Sequence, residues 1–335
     1  MEQSIHDLLI TRQLLKLQTS YNLNSKQIYE WENILERFIV AFVNENETDY
    51  IFPKKIEEDN KCLIKLKEEI KLKHIPEVVY DYTIQTINKN RPKISEIKHN
   101  VSYTKSSCIV LFNFILDIIP TNLKIEIDLG IRKIDELKKK NNTDVANMLL
   151  KYESMVNKGQ QWAVPNEQYK YLNENYGVEY EGFASPINSG LSDKKNGKFC
   201  SLFPEIDKPF GSIGKFFDQH LYSDENPRHW CINPPFVEQL IDKVTIKIIE
   251  DIEYAVDNNL EVMVFYILPN WTDCKGFDTA WNSKYTKFKE ILHKGTYIYE
   301  AKGKPIKIPI NSAVMILDSY KKKIDYSKIT KKMQV

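Results

Sequence analysis

Two adjacent prolines, Pro234 and Pro235, constrain this chain more tightly than any other pair of its residues. They fix φ twice and remove two backbone donors, so neither a sheet nor a helix can run through them. Before them, His229-Trp230-Cys231-Ile232 reads as a short strand. After them, Val237, Leu240, Ile241, Val244, Ile248, Ile252 and Val256 recur at helical spacing. Strand, rigid turn and helix is the arrangement in which an open α/β sheet presents chemistry at the carboxyl ends of its strands. The turn reads Asn233-Pro234-Pro235-Phe236. An Asn side-chain oxygen beside a carbonyl offers two acceptors to the two hydrogens of an exocyclic amine, and the Phe ring offers a face on which a base can stack. That combination suits N6 of adenine. Asn-Pro and Pro-Pro are also ordinary turn punctuation, and it is the flanking strand and helix that favour the functional reading.

The surrounding sequence supports an α/β unit. A helix is expected around Glu167–Tyr176, after the run Gln161-Trp162-Ala163-Val164-Pro165, then an alternating strand from Val178 to Phe183 and a turn from Ala184 to Gly190. Lys198–Phe203 reads as a second strand, leading into Pro204–Gly211 with the acids Glu205 and Asp207. Val262 to Leu268 is continuously apolar and ends at Pro269, the mark of a central parallel strand. A helix over Trp281–Leu292 and strands at Thr296–Tyr299 and Ala313–Leu317 complete a doubly wound parallel sheet.

Residues 5–157 read instead as helix throughout. Ile28, Trp31, Ile34, Leu35, Phe38, Ile39 and Phe42 form one stripe, and segments near 58–73, 77–90, 105–119, 131–140 and 143–156 continue the pattern between prolines. The run Ile109 to Ile119 is apolar enough to be expected fully buried. The expected organisation is a helical domain over 1–160, forming one wall of a substrate groove, and a catalytic α/β domain over 161–335.

Lys and Arg number 47 against 46 Asp and Glu, so no global basicity advertises nucleic acid; the lysines clustered between 302 and 332 leave room for a local patch. Five scattered cysteines without a C-x-x-C pair, and histidines without ligand spacing, argue against a disulfide frame or metal site and for an intracellular compartment, nucleus or cytoplasm. No apolar run reaches membrane-span length, and Met1–His6 lacks a leader's charge pattern.

Several motifs stand in a telling order: Phe183-Ala184-Ser185-Pro186-Ile187-Asn188, Phe199-Cys200-Ser201 with Phe203-Pro204, Phe210-Gly211-Ser212, Asn233-Pro234-Pro235-Phe236, Ile267-Leu268-Pro269 with Trp271, and Asn311-Ser312-Ala313-Val314. Over about 165 to 317 the chain thereby resembles the phosphorylated-CTD-interacting factor family of cap-specific adenosine N6-methyltransferases. The resemblance implies a Rossmann-like, S-adenosylmethionine-dependent enzyme. Its substrate would be mRNA whose first transcribed adenosine, 2′-O-methylated for preference, follows a 7-methylguanosine cap. It also implies a helical domain ahead of the catalytic one. The family's animal members carry an N-terminal WW domain, for which this chain is expected to have no room.

Asn233 is then the expected acceptor for the target N6, Pro234 supplies the second acceptor through its carbonyl, Pro235 stiffens the turn and Phe236 stacks the flipped adenine. Trp271 walls the adenine or cap pocket, or serves as a lid over the core. Ser185, Pro186 and Asn188 face the cofactor from the first turn. Asp207 is suited to ribose hydroxyls, or merely caps its turn. Phe203, Pro204, Phe210 and Gly211 line the same pocket or belong to the core. No metal and no general base are required. Two alternatives stay open: an N6-adenine methyltransferase acting on internal RNA or DNA, and a catalytically weak module that grips capped RNA.

Overall fold

The computed structural model describes residues 1–17, 21–45, 51–57, 59–155, 162–301 and 304–334. Gln161, Lys302 and the 160/161 boundary expected from the sequence lie outside the described residues. The chain divides into two compact units, Met1–Gly159 and Gln160–Val335.

Among the described residues the first unit opens with the helices α1 (Glu2–Leu15), α2 (Ser25–Glu45), α3 (Lys61–Leu72) and α4 (Val78–Asn88). It is not all-helical. β1 (Ile94–Tyr103), β2 (Ser107–Leu116) and β3 (Ile119–Asp128) form an antiparallel sheet, followed by α5 (Gly130–Leu137) and α6 (Asn142–Glu153). The stretch expected as helix over 105–119 is therefore mostly strand, and it is only half buried. Cys108, Val110, Phe112 and Phe114 face the core while Leu111 and Asn113 are exposed. Apolar residues on both faces of β2 hid its period of two, and periodicity cannot separate such a run from a buried helix. Its β-branched and aromatic content was the better guide. Asp117, at φ 57°, occupies the left-handed region in the tight turn to β3.

A buried ion pair ties this unit together. Asp7 accepts from Lys151 Nζ at 2.9 Å, from Gln3 Nε2 at 2.9 Å, and from the backbone N–H groups of Ile51 and Phe52 at 3.3 Å. Each carboxylate oxygen thus has two donors, which is what makes burial of both charges tolerable.

In the second unit, α7 (Asn166–Tyr176) precedes β4 (Tyr180–Ala184) and β5 (Lys198–Ser201), with the one-turn α8 (Pro204–Asp207) after it. Then come β6 (Arg228–Ile232), α9 (Glu238–Asp257), β7 (Val262–Pro269), α10 (Lys275–Trp281) and β8 (Thr286–Leu292). β9 (Ile298–Ala301) and β10 (Lys304–Lys307) form a small separate sheet, and β11 (Ser312–Asp318) returns to the main one.

The main sheet runs β5-β4-β6-β7-β11-β8. β5, β4, β6 and β7 are mutually parallel, whereas β11 is antiparallel to both β7 and β8. The wholly parallel sheet expected from the sequence is thus a mixed one. The expected helix over Trp281–Leu292 is also corrected: α10 ends at Trp281, and Thr286–Leu292 is an edge strand with Lys287 and Lys289 turned to solvent. Lys and Glu favour helix locally, but alternating lysines on one face also protect a sheet edge from further pairing.

Every residue of β7 is buried. Val262, Val264, Tyr266 and Leu268 pack on one side with Ile241, Val244, Ile248 and Ile252 of α9. Met263, Phe265 and Ile267 pack on the other with Tyr169 and Leu172 of α7 and with Tyr326, Ile329 and Met333. At roughly 1.5–3 kcal/mol for each large apolar side chain removed from water, this two-faced strand is the mechanical centre of the unit.

Candidate active site at the carboxyl edge of the parallel strands

The chain lays β5 on one side of β4 and then β6 on the other. The strand order reverses there, and such a switch point opens a crevice beyond the carboxyl ends of the strands. Four segments leave the sheet at that edge: Ser185–Gly190 after β4, Leu202–Gly211 after β5, Asn233–Phe236 after β6 and Asn270–Trp271 after β7.

The turn after β4 is closed by its own side chains. Asn188 Oδ1 accepts from the Ser185 N–H at 2.7 Å and from Ser185 Oγ at 2.9 Å, while the Asn188 N–H donates back to the Ser185 carbonyl at 3.1 Å. Ser185, Pro186 and Ile187 are buried and Asn188 is half-buried. Beneath lies Glu181, which is 2% exposed and accepts from Tyr169 Oη at 2.5 Å, Ser189 Oγ at 2.9 Å and the Gly190 N–H at 3.0 Å. Gly190 is required here, because a Cβ would stand 1.9 Å from the Tyr169 ring. The sequence reading missed Glu181, since a single acid inside an alternating strand carries no signal of its donors.

After β5, Phe203 and Phe210 are core residues, 0% and 7% exposed. Pro204 begins α8, where its missing N–H costs nothing. Gly211 adopts φ 106°, a conformation open to glycine and strained for other residues. Asp207 is 0% exposed, whereas Glu205 is open to solvent. Burial pushes the thiols of Cys200 and Cys231 up, so neither is ionised at neutral pH.

The turn after β6 differs from both. Pro234 is buried, and Asn233 and Phe236 are half-buried. The Pro235 carbonyl is taken by the Val237 N–H at 2.8 Å. The Pro234 carbonyl accepts nothing among the described residues. Asn233 Oδ1 is buried and likewise has no hydrogen-bond partner among them. A buried acceptor left unpaired is costly, which points to a donor that arrives from outside. Trp271 meets this turn. Its ring centroid stands 6.3 Å from that of Phe236, with the planes at 71°. The structure therefore brings together Asn233, Pro234, Phe236 and Trp271, while Phe203 and Phe210 are buried side chains of the segment after β5. Lys215 Nζ, another buried polar atom without a hydrogen-bond partner among the described residues, was not foreseen from the sequence. Among the described residues no group of His, Cys, Asp and Glu could hold a metal ion, and no helix is long and apolar enough to cross a membrane.

Fold and site together define a mixed α/β protein whose carboxyl edge carries two unpartnered acceptors beside the Phe236–Trp271 pair. The family model described as the phosphorylated CTD interacting factor 1 WW domain matches residues 130–302, and the chain belongs to that family. The expected absence of a WW domain is overturned by this match, because the matching model is the one described by that domain. Two curated relatives, from mouse and human, are each named mRNA (2′-O-methyladenosine-N(6)-)-methyltransferase. Each is 30% identical over 116 residues, which is 34% of this chain and 15% of the relative.

Proposed function

We propose that this chain is an S-adenosylmethionine-dependent RNA methyltransferase, with a Rossmann-like second unit. Its target is N6 of the first transcribed adenosine, 2′-O-methylated, beside the 7-methylguanosine cap of mRNA. The observation that carries the chemistry is the buried Asn233 Oδ1 without a donor, next to the unoccupied Pro234 carbonyl. Two N–H groups of an exocyclic amine satisfy both acceptors at once. As the amine nitrogen gains a methyl group its hydrogens become more positive, so both bonds strengthen in the transition state. Phe236 stacks the flipped base and Trp271 closes one side. The extra proton leaves after transfer, and no buried thiol takes part as a nucleophile. The relatives' printed name supports mRNA and N6 of a 2′-O-methyladenosine as the target, and the cap assignment rests on the family resemblance of the motifs between 165 and 317.

The residues of the edge fit the methyl donor, which supplies an electrophilic methyl group. The Ser185–Ser189 turn is built from side-chain bonds and has no glycine-rich cradle, as suits a molecule without a pyrophosphate. Of the two acids after β5, the exposed Glu205 is the one open to ribose hydroxyls; the buried Asp207 stands in the wall of the turn that carries it. Ser185, Pro186 and Asn188 line the approach from β4, and Gly211 keeps that from β5 low.

The test is methyl transfer to 7-methylguanosine-capped RNA starting with A, to its 5′-triphosphate form and to capped RNA starting with G, with adenines placed downstream. Mass spectrometry of the released nucleosides is expected to find the methyl group on the first adenosine of the capped A-starting RNA. Methyl groups mainly on internal adenines, or equal use of uncapped RNA, would overturn the cap assignment and leave the N6 chemistry standing.

A further inference from the structure

Lys215 occupies a short loop that its backbone pins in place. The Gly214 carbonyl accepts from the Ser201 N–H at 3.0 Å, at the carboxyl end of β5. The Lys215 carbonyl accepts from the Asp218 N–H at 3.2 Å and from Gln219 Nε2 at 3.4 Å. Phe216, next in the chain, sets its ring 4.8 Å from that of Phe183 at the end of β4, and Phe217 beside it is 38% exposed. Lys215 is thus held at the same edge of the sheet as the acceptor turn. Its Nζ is buried and, among the described residues, has neither a hydrogen-bond acceptor nor an ion-pair partner.

A desolvated ammonium without an acceptor opposes folding, whereas a rigid loop keeps it in readiness for an anionic group. We propose that Lys215 is an anion-binding residue of the crevice, receiving a carboxylate or phosphate oxygen from a bound ligand, with Phe217 as the neighbouring aromatic face. This rests on the proposed methyltransferase reading, which supplies two sources of that oxygen. One is the α-carboxylate of the methyl donor and the other is a phosphate of the RNA.

The experiment measures binding in the full chain, wild type against Lys215→Met and Lys215→Arg, without requiring turnover. Calorimetry with S-adenosylhomocysteine and with methylthioadenosine, which lacks the carboxylate, reads the first source. Salt titration of affinity for a capped A-starting oligoribonucleotide reads the second. Lys215→Met is expected to weaken one ligand roughly 10–100-fold, the range for a hydrogen bond to a charged group, and Lys215→Arg to recover most of it. Loss confined to S-adenosylhomocysteine identifies the carboxylate. Loss confined to RNA, with the salt slope reduced by about 0.7–0.9, identifies a phosphate. The melting temperature of the ligand-free Met variant should not fall, since a buried unpaired charge is removed. Unchanged binding of every ligand overturns the proposal, as does a lower melting temperature with equal losses for both nucleosides. Tight binding through Lys215 without methyl transfer would sink the enzyme reading and leave this one standing.

Discussion

The two edges of the parallel strands in the second unit are built on opposite terms. At the amino edge the polar side chains of His229, Asp318 and Ser319 all find partners. His229 Nδ1 faces the Tyr176 carbonyl and must carry the proton, which leaves Nε2 to accept from Tyr320 Oη at 2.6 Å. Asp318 accepts from Tyr326 Oη at 2.8 Å and from the Tyr320 N–H at 3.0 Å. Ser319 Oγ donates to the Leu260 carbonyl at 2.7 Å and accepts from the Val262 N–H at 2.8 Å. At the carboxyl edge Asn233 Oδ1 and Lys215 Nζ are buried without partners. One edge is a finished piece of protein interior, and the other leaves buried polar atoms for the ligands proposed above. Breaches of local rules are expected at functional sites, which is the ground for comparing the two edges.

The comparison is most exposed at Asn233. Asn233→Ala is expected to lower turnover roughly 10²–10³-fold, as for loss of one preorganised hydrogen bond in a transition state. It should leave the denaturation midpoint and S-adenosylhomocysteine affinity unchanged, because the lost oxygen bonds nothing in the free protein. A variant with near wild-type turnover would remove the acceptor role. Phe236 gives a graded version. Ala should lose about 1–3 kcal/mol of base stacking while Tyr keeps most of it, read as activity of both on one RNA. Equal losses would reassign Phe236 to packing.

The closed edge should respond the other way round. Tyr326→Phe takes a donor from the 2%-exposed Asp318 and is expected to cost about 1–3 kcal/mol of stability, seen as a lower urea midpoint, with the proposed methyl transfer by the folded protein unaltered. An activity loss at full stability would mean that the edges are coupled.

The smallest expected effect is on pH. Burial, the leading cause, holds the His229 pKa below its ordinary value, against the opposing pull of the Tyr176 carbonyl and the carboxylates of Glu261, Glu179 and Asp318. As pH falls through about 6.5 the unfolded chain takes up a proton that folded His229 refuses. Stability is therefore full above that pH and declines below it, until the folded imidazole also protonates and frees Tyr320. Burial raises the Asp318 pKa, and that contribution runs oppositely, with stability declining as pH rises from its ordinary value of 3.8. Urea midpoints between pH 7 and 5.5 should fall for the wild type and lose most of that slope in His229→Gln.

Much of the second unit was legible. β7 declared itself by continuous apolarity ended by Pro269, and the strand–turn–helix around Pro234 and Pro235 was readable residue by residue. β2 was not, because Leu111 places an apolar side chain on the solvent face and erases the alternation. β8 was not, because its lysines and glutamate suit a helix as well as an edge strand. Lys215 gave no sign at all, lying between a glycine and two phenylalanines in a loop.

The sequence by itself determined what depends on neighbours along the chain: proline dihedrals, missing donors, and the periodicity that sets a helix face. From these came the rigid turn Asn233–Phe236 and the long helix behind it. Only the tertiary structure decided that β11 runs antiparallel between β7 and β8, that Phe236 meets Trp271, and that Glu181 is satisfied while Asn233 Oδ1 and Lys215 Nζ are not. Whether a polar atom is paired depends on what distant segments bring within about 3 Å of it, and spacing along the chain carries no record of that.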